Sequence, residues 1–143
     1  MIIGFGFSKI SVERKKVPAG EMKVNNNVQI KTLDKAEIAG PKKENTGLKA
    51  AFEFKTVYEP AIGEIVIEGE LVLLEPAKVA EEALKQWKKD KSITKELIRE
   101  VMDTILSKAT VESVVLSREI GLPPPIPVPK VSDATPQKQQ YIG

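Results

Sequence analysis

The strongest constraint on how this chain can fold is the run Leu122-Pro123-Pro124-Pro125-Ile126-Pro127-Val128-Pro129. Proline fixes φ and has no amide hydrogen, so a segment this rich in it can be neither helix nor central strand. Its lowest-cost state is an extended, polyproline-like strap laid over something else. The residues before it read as one long helix starting at Thr94. Leu97, Ile98, Val101, Met102, Ile105, Leu106 and Ala109 recur at the spacing of a single buried helical face. Ile93, Thr94 and Ile98 suit a hydrophobic staple around an N-cap, and Gly121 before Leu122-Pro123 suits a C-terminal stop.

The earlier residues must supply the surface on which helix and strap lie. Ile3, Phe5 and Phe7 alternate, and Ile10 and Val12 continue on the opposite parity, which predicts a strand with a bulge near Ser8-Lys9. Gly4 and Gly6 do not make a phosphate loop, because no helix or Lys-Ser/Thr follows them. A second strand over about residues 22–32 carries Val24, Val28 and Ile30 on one face. Asn25-Asn26-Asn27 interrupts it, so it is irregular or near an edge. Residues 39–47 form a loop by composition. Leu48, Ala50, Phe52, Phe54, Thr56 and Tyr58 then alternate with Lys49, Glu53, Lys55 and Glu59. After a turn at residues 60–63, Ile65, Ile67, Gly69, Leu71 and Leu73 return as the second arm of an antiparallel hairpin. Val66, Val72 and Leu74 make this arm apolar on its other side too, so that side is covered by a helix or open to a partner. Pro76 fits a helix start, and Val79, Ala80, Ala83, Leu84 and Trp87 mark that helix's buried face.

Four strands followed by two helices indicate an α+β fold, a four-stranded antiparallel sheet with both helices on one face and the strap beyond them. Residues 1–131 are expected to form a single domain, and residues 132–143 a disordered tail. The chain has 143 residues, of which 41% are hydrophobic and 29% charged, the balance of a soluble globular protein. No apolar run approaches the roughly 20 residues a membrane helix needs. The first seven residues lack the basic start and cleavage site of a signal peptide, and the expected location is the cytoplasm.

The absence of cysteine and histidine removes disulfides, thiolate nucleophiles, the commonest general base and the commonest transition-metal ligand. The carboxylates Glu53, Glu59, Glu64, Glu68, Glu70 and Glu75 alternate with lysines, as on a solvated sheet face with cross-strand ion pairs. The reading is a non-enzyme with no cofactor and no metal. Net charge is +2, with only Arg14, Arg99 and Arg118 as arginines, which argues against a nucleic-acid reader. The runs Arg14-Lys15-Lys16, Lys42-Lys43 and residues 85–91 would have to share one face to serve as one.

What has no evident internal owner is apolar surface. Phe5, Phe7, Phe52, Phe54 and Tyr58 on strands, with Leu122, Ile126 and Val128 on the strap, either form the core or wall a groove for extended peptides. Phe5, Phe7, Val66, Val72, Leu74 and Trp87 are the candidates for an interface in a homo-oligomer, a dimer or tetramer. The competing possibility is a structural or adaptor protein whose interfaces consume all of this surface.

The order of four strands, a shorter helix, a long helix and a Gly121-Leu122-Pro123 exit resembles the SecB-type export chaperones and SecB-like proteins. Ile126, Val128 and Pro129 echo the family's alternating end, and the parity shift in the first strand fits as well. The resemblance spans about residues 3 to 131. It implies a cytosolic, ATP-independent holdase, a dimer of dimers that binds unfolded or export-competent clients in long apolar grooves. Those grooves run between the sheet and the segment around the last helix, and by position they implicate Phe52, Phe54, Tyr58, Leu122 and Ile126. Unlike the acidic bacterial export chaperones this chain is near neutral, so the resemblance leaves open whether a SecA-like partner exists. Export, a toxin–antitoxin system and general proteostasis all remain open as its setting.

Overall fold

The computed structural model describes residues 1–38 and 44–126. Four strands, β1 (Ile2–Arg14), β2 (Lys23–Ala36), β3 (Asn45–Glu59) and β4 (Gly63–Pro76), precede two helices, α1 (Ala77–Asp90) and α2 (Lys95–Glu119). The strands make one antiparallel sheet in the order β1-β4-β3-β2. The β3–β4 hairpin is therefore central, and β1 and β2 are the edges.

Period-two alternation decides the faces. Leu48, Ala50, Phe52, Phe54, Thr56 and Tyr58 of β3 and Ile65, Ile67, Leu71 and Leu73 of β4 are all buried on the inner face. Ala80, Ala83 and Trp87 of α1 and Leu97, Val101, Ile105 and Ala109 of α2 join them in one core. In β1 the register shifts between Phe7 and Lys9, so Ser8 is the extra residue and Ile10 and Val12 rejoin the face of Phe5 and Phe7. This is the parity change visible in the sequence. Nearer the start of β1 a further shift between Ile2 and Gly4 sets Ile2, not Ile3, across from Leu73 on the inner face, so the expected alternation of Ile3 with Phe5 and Phe7 does not hold. A third shift, between Ile30 and Thr32, has no counterpart in the sequence pattern. It inserts Lys31 and returns Leu33 to the core, and it carries β2 on to Ala36 instead of ending near residue 32. Gly69 allows Phe52 to lie over β4, since a Cβ there would sit 2.7 Å from the Phe52 ring and collide with the Gly6 carbonyl.

The outer face is a ladder of charges. Lys31 sits between Glu68 (2.7 Å) and Glu53 (2.9 Å), which face each other across β3 and β4, and Lys49 pairs with Glu70 (2.9 Å). The bulge thus places an ammonium where two opposed carboxylates would otherwise repel. Hydrogen bonds from Lys31 to Glu68 and Glu53 hold its ammonium up at about 12 and pull the Glu68 carboxyl below the usual range.

The long helix has its N-cap at Thr94, whose carbonyl accepts from Leu97 (3.1 Å) and Ile98 (3.0 Å). The Thr94 hydroxyl makes no cap hydrogen bond, so the cap position matches the sequence reading while its side chain does not act. At the other end Leu122 N–H donates to the Ser117 carbonyl (2.8 Å) and Gly121 N–H to that of Arg118 (3.3 Å), with Gly121 at φ +71. That is a Schellman stop, the geometry glycine adopts without strain. It turns the chain back towards the sheet. Residues 127–143, the end of the expected strap and the expected tail, lie outside the described residues, as do residues 39–43 of the expected loop; its residues 45–47 are instead part of β3.

Candidate functional site

Past the helix stop, residues 122–126 return to the inner face at the end of the sheet where Tyr58 pairs with Gly63 and Val24. Leu122 is buried there, its Cδ1 against β4 where a Cβ on Gly63 would come within 3.3 Å. Two side chains hold the segment by its carbonyls. The Tyr58 hydroxyl donates to Pro123 O (2.7 Å) and the Asn26 amide donates to Pro125 O (2.8 Å). Thr56, directly across from Asn26 on the neighbouring strand, donates its hydroxyl to Asn26 Oδ1 (2.6 Å). Because Thr56 occupies the amide oxygen, the amide NH2 is left facing the strap. The match is chemical as well as steric: prolines offer carbonyls and no N–H, and the sheet offers donors.

Burial pushes the Tyr58 phenol up to about 12, opposed in part by the Ser117 hydroxyl beside it. The hydroxyl is therefore protonated, and able to donate, across the physiological range. Ser113 and Ser117 are themselves buried at the end of α2, each returning its hydroxyl to a carbonyl three residues back (Thr110 O, 2.8 Å; Val114 O, 2.7 Å). These small residues face the sheet, while Val111 and Val115 point to solvent from the same turns.

The residues proposed from sequence as peptide-binding separate into two groups. Tyr58 and Leu122 meet the strap where it lands on the sheet, and Ile126, the last described residue of the strap, is exposed. Phe52 and Phe54 lie buried in the chain's own core, and Phe52 stacks on Phe5 (centroids 5.3 Å, 26° between planes). The residues proposed for an oligomer interface fall in three places. Phe5 and Phe7 form an edge-to-face pair at β1 (5.4 Å), with the Lys108 ammonium 5.3 Å from the Phe5 ring. Val66, Val72 and Leu74 are half-buried among the charges of the outer face. Trp87 belongs to the chain's own core, where the buried stripe of α1 directs it, with Lys91 5.6 Å from its ring centroid.

Asn26 and Thr56 belong to this candidate site and do not stand out in the sequence. In the sequence Asn26 belongs to the Asn25-Asn26-Asn27 interruption of β2, and Thr56 is one more member of an apolar alternation. The available signal was that both polar residues sit at inward parity on adjacent strands. Among the described residues no group of three or more Asp or Glu side chains is placed to hold a metal ion, and no helix is long and apolar enough to cross a membrane.

No family model matches the chain, and no curated protein sequence matches it. Among solved structures it is similar to the Mycobacterium tuberculosis SecB-like chaperone Rv1957, determined in complex with a ChAD peptide from the Rv1956 HigA1 antitoxin. The two superpose with a TM-score of 0.53 at 9% identity, over 94% of this chain and 92% of that one. The fold is SecB-like. At that identity the likeness is one of architecture, a four-stranded antiparallel sheet followed by two helices.

Proposed function

We propose that this protein is a non-enzymatic, ATP-independent chaperone of the holdase type, which binds unfolded or extended polypeptide segments as a cytoplasmic homo-oligomer. The observation that carries the reading is apolar surface left bare beside an open sheet edge. On β1, Ile3 and Ile10 are each 44% exposed with Phe7 between them, and on α2 Val111 is 66% exposed with Leu106 and Val115 nearby in sequence. Exposed apolar surface next to unpaired strand edges is what a binder of extended chains presents and what a solitary soluble protein avoids. Support also comes from the SecB-like neighbour, which was solved holding a peptide. The test is suppression of aggregation of a chemically unfolded client at stoichiometric ratio and without nucleotide. Full aggregation at every ratio would sink the reading.

The bareness of the β1 edge also favours a second reading, in which the same residues are consumed between copies of a structural or adaptor protein. The assembled form would then bind an apolar dye such as ANS negligibly, whereas a chaperone keeps binding dye after assembly.

A further inference from the structure

We propose that Tyr58, Asn26 and Thr56 form a docking seat for proline-rich extended segments of other polypeptides, and that the chain's own strap is the resident occupant they must displace. This rests on the reading of the protein as a polypeptide binder and adds to it a ligand class and a built-in competitor. The seat is complete without the strap: Asn26 is on β2, Thr56 and Tyr58 are on β3, and the notch at Gly63 is on β4. It recognises carbonyls two residues apart, those of Pro123 and Pro125, and needs no N–H from its ligand. Addition of a strand to a sheet edge does need N–H donors, so proline-rich chains are poor partners for β1 or β2. Such chains are already extended in water and lose little entropy on binding. The strap is built to leave. It turns at Gly121 (φ +71), is held by two side-chain hydrogen bonds, and buries Leu122 and Pro125 while Pro124 and Ile126 stay exposed.

The experiment uses the full chain and a fluorescent peptide, Gly-Leu-Pro-Pro-Pro-Ile-Pro, followed by anisotropy. Leu122→Ser unseats the strap but leaves every seat residue, and it should bind the peptide about tenfold more tightly than the unaltered chain. In that background, adding Tyr58→Phe or Asn26→Ala should weaken binding about fivefold to tenfold each, the effect of one lost hydrogen bond. In the unaltered background the same two changes should barely move the apparent affinity, because strap and peptide lose the same bond. Equal affinity across all these proteins, or no binding in any, overturns the proposal. Should Leu122→Ser fold poorly, a dye on Ile126→Cys, the only thiol in the chain, reports displacement directly. An unchanged dye signal at saturating peptide also overturns the proposal. A dimer that the peptide dissociates would assign the seat to strap exchange between copies and overturn it as well. A proline-free unfolded client separates the two readings. Client binding without peptide binding removes the docking seat and leaves the chaperone, and the reverse removes the chaperone and leaves the seat.

Discussion

The two ends of the sheet's inner face are closed by different physics. At one end α2 begins beside β1, where Glu100 accepts from Ile2 N–H (3.0 Å), and its first turns bury Leu97, Val101 and Ile105 in the core. At the other end α2 buries only Ala109, Ser113 and Ser117, and the strap completes the cover through Leu122 and two hydrogen bonds to carbonyls. Aliphatic burial is non-directional and is lost only when the core opens. The hydrogen bonds to the strap are directional, net about 1 kcal/mol each, and can be traded for equivalent bonds to another chain. The first end is sealed by packing, and under the docking-seat proposal the second is the one open to exchange.

The largest effect should come from the sealed end. Ile105→Ala deletes a fully buried side chain and should cost about 2–5 kcal/mol in urea unfolding, the range for large-to-Ala changes in a core. Leu122→Ala should cost clearly less, because the strap can lift without leaving a cavity, and equal costs would break the comparison. Next comes Gly63→Ala, whose new Cβ would collide with the Glu13 carbonyl and crowd Leu122. An overpacking cost of about 1–3 kcal/mol is expected, accompanied by faster labelling of a thiol introduced at residue 126.

A smaller change follows from Tyr58→Phe, which keeps the ring and removes one donor. The expected loss is about 1 kcal/mol, and the labelling rate at residue 126 should again rise. The same residue sets an alkaline limit. The folded phenol titrates at about 12, above its ordinary value near 10, so its contribution is complete below pH 10 and is lost as pH rises towards 12. The Lys31 ammonium, raised from 10.5 to about 12, loses its contribution over an overlapping window. Stability measured from pH 9 to 12 should therefore fall in both proteins, less steeply in Tyr58→Phe. Identical slopes would mean that ionisation of the phenol is not linked to folding. The smallest effect belongs to the outer face: Lys49→Ala removes an exposed pair with Glu70, and its slight destabilisation should fade as salt is added.

Much of this architecture was legible before any coordinates, and the reasons are local. Alternation in β3 and β4 identified the hairpin and its inner face, and the parity break at Ser8-Lys9 marked a real bulge. Gly121 before a proline run marked the helix stop. The bulge at Lys31 escaped notice because three asparagines had already broken the apolar pattern of β2, leaving Leu33 with no period to join. The buried face of α2 faded after Ala109 for a related reason. Ser113 and Ser117 are small and polar, and they do not announce burial by composition even though they continue the same four-residue step.

Residue order alone settled the α+β class, the succession of strands, helices and strap, and the refusal of residues 122–125 to be helix or sheet. These follow from side-chain periodicity and from proline's missing N–H, which act over a few residues. The landing place of the strap was decided only in three dimensions. Tyr58 reaches a carbonyl 65 residues away and Asn26 one 99 residues away, and no local pattern encodes a bond of that span. Which asparagine of three would face inward depended on the pairing of β2 with β3, and that pairing exists only once the sheet has formed.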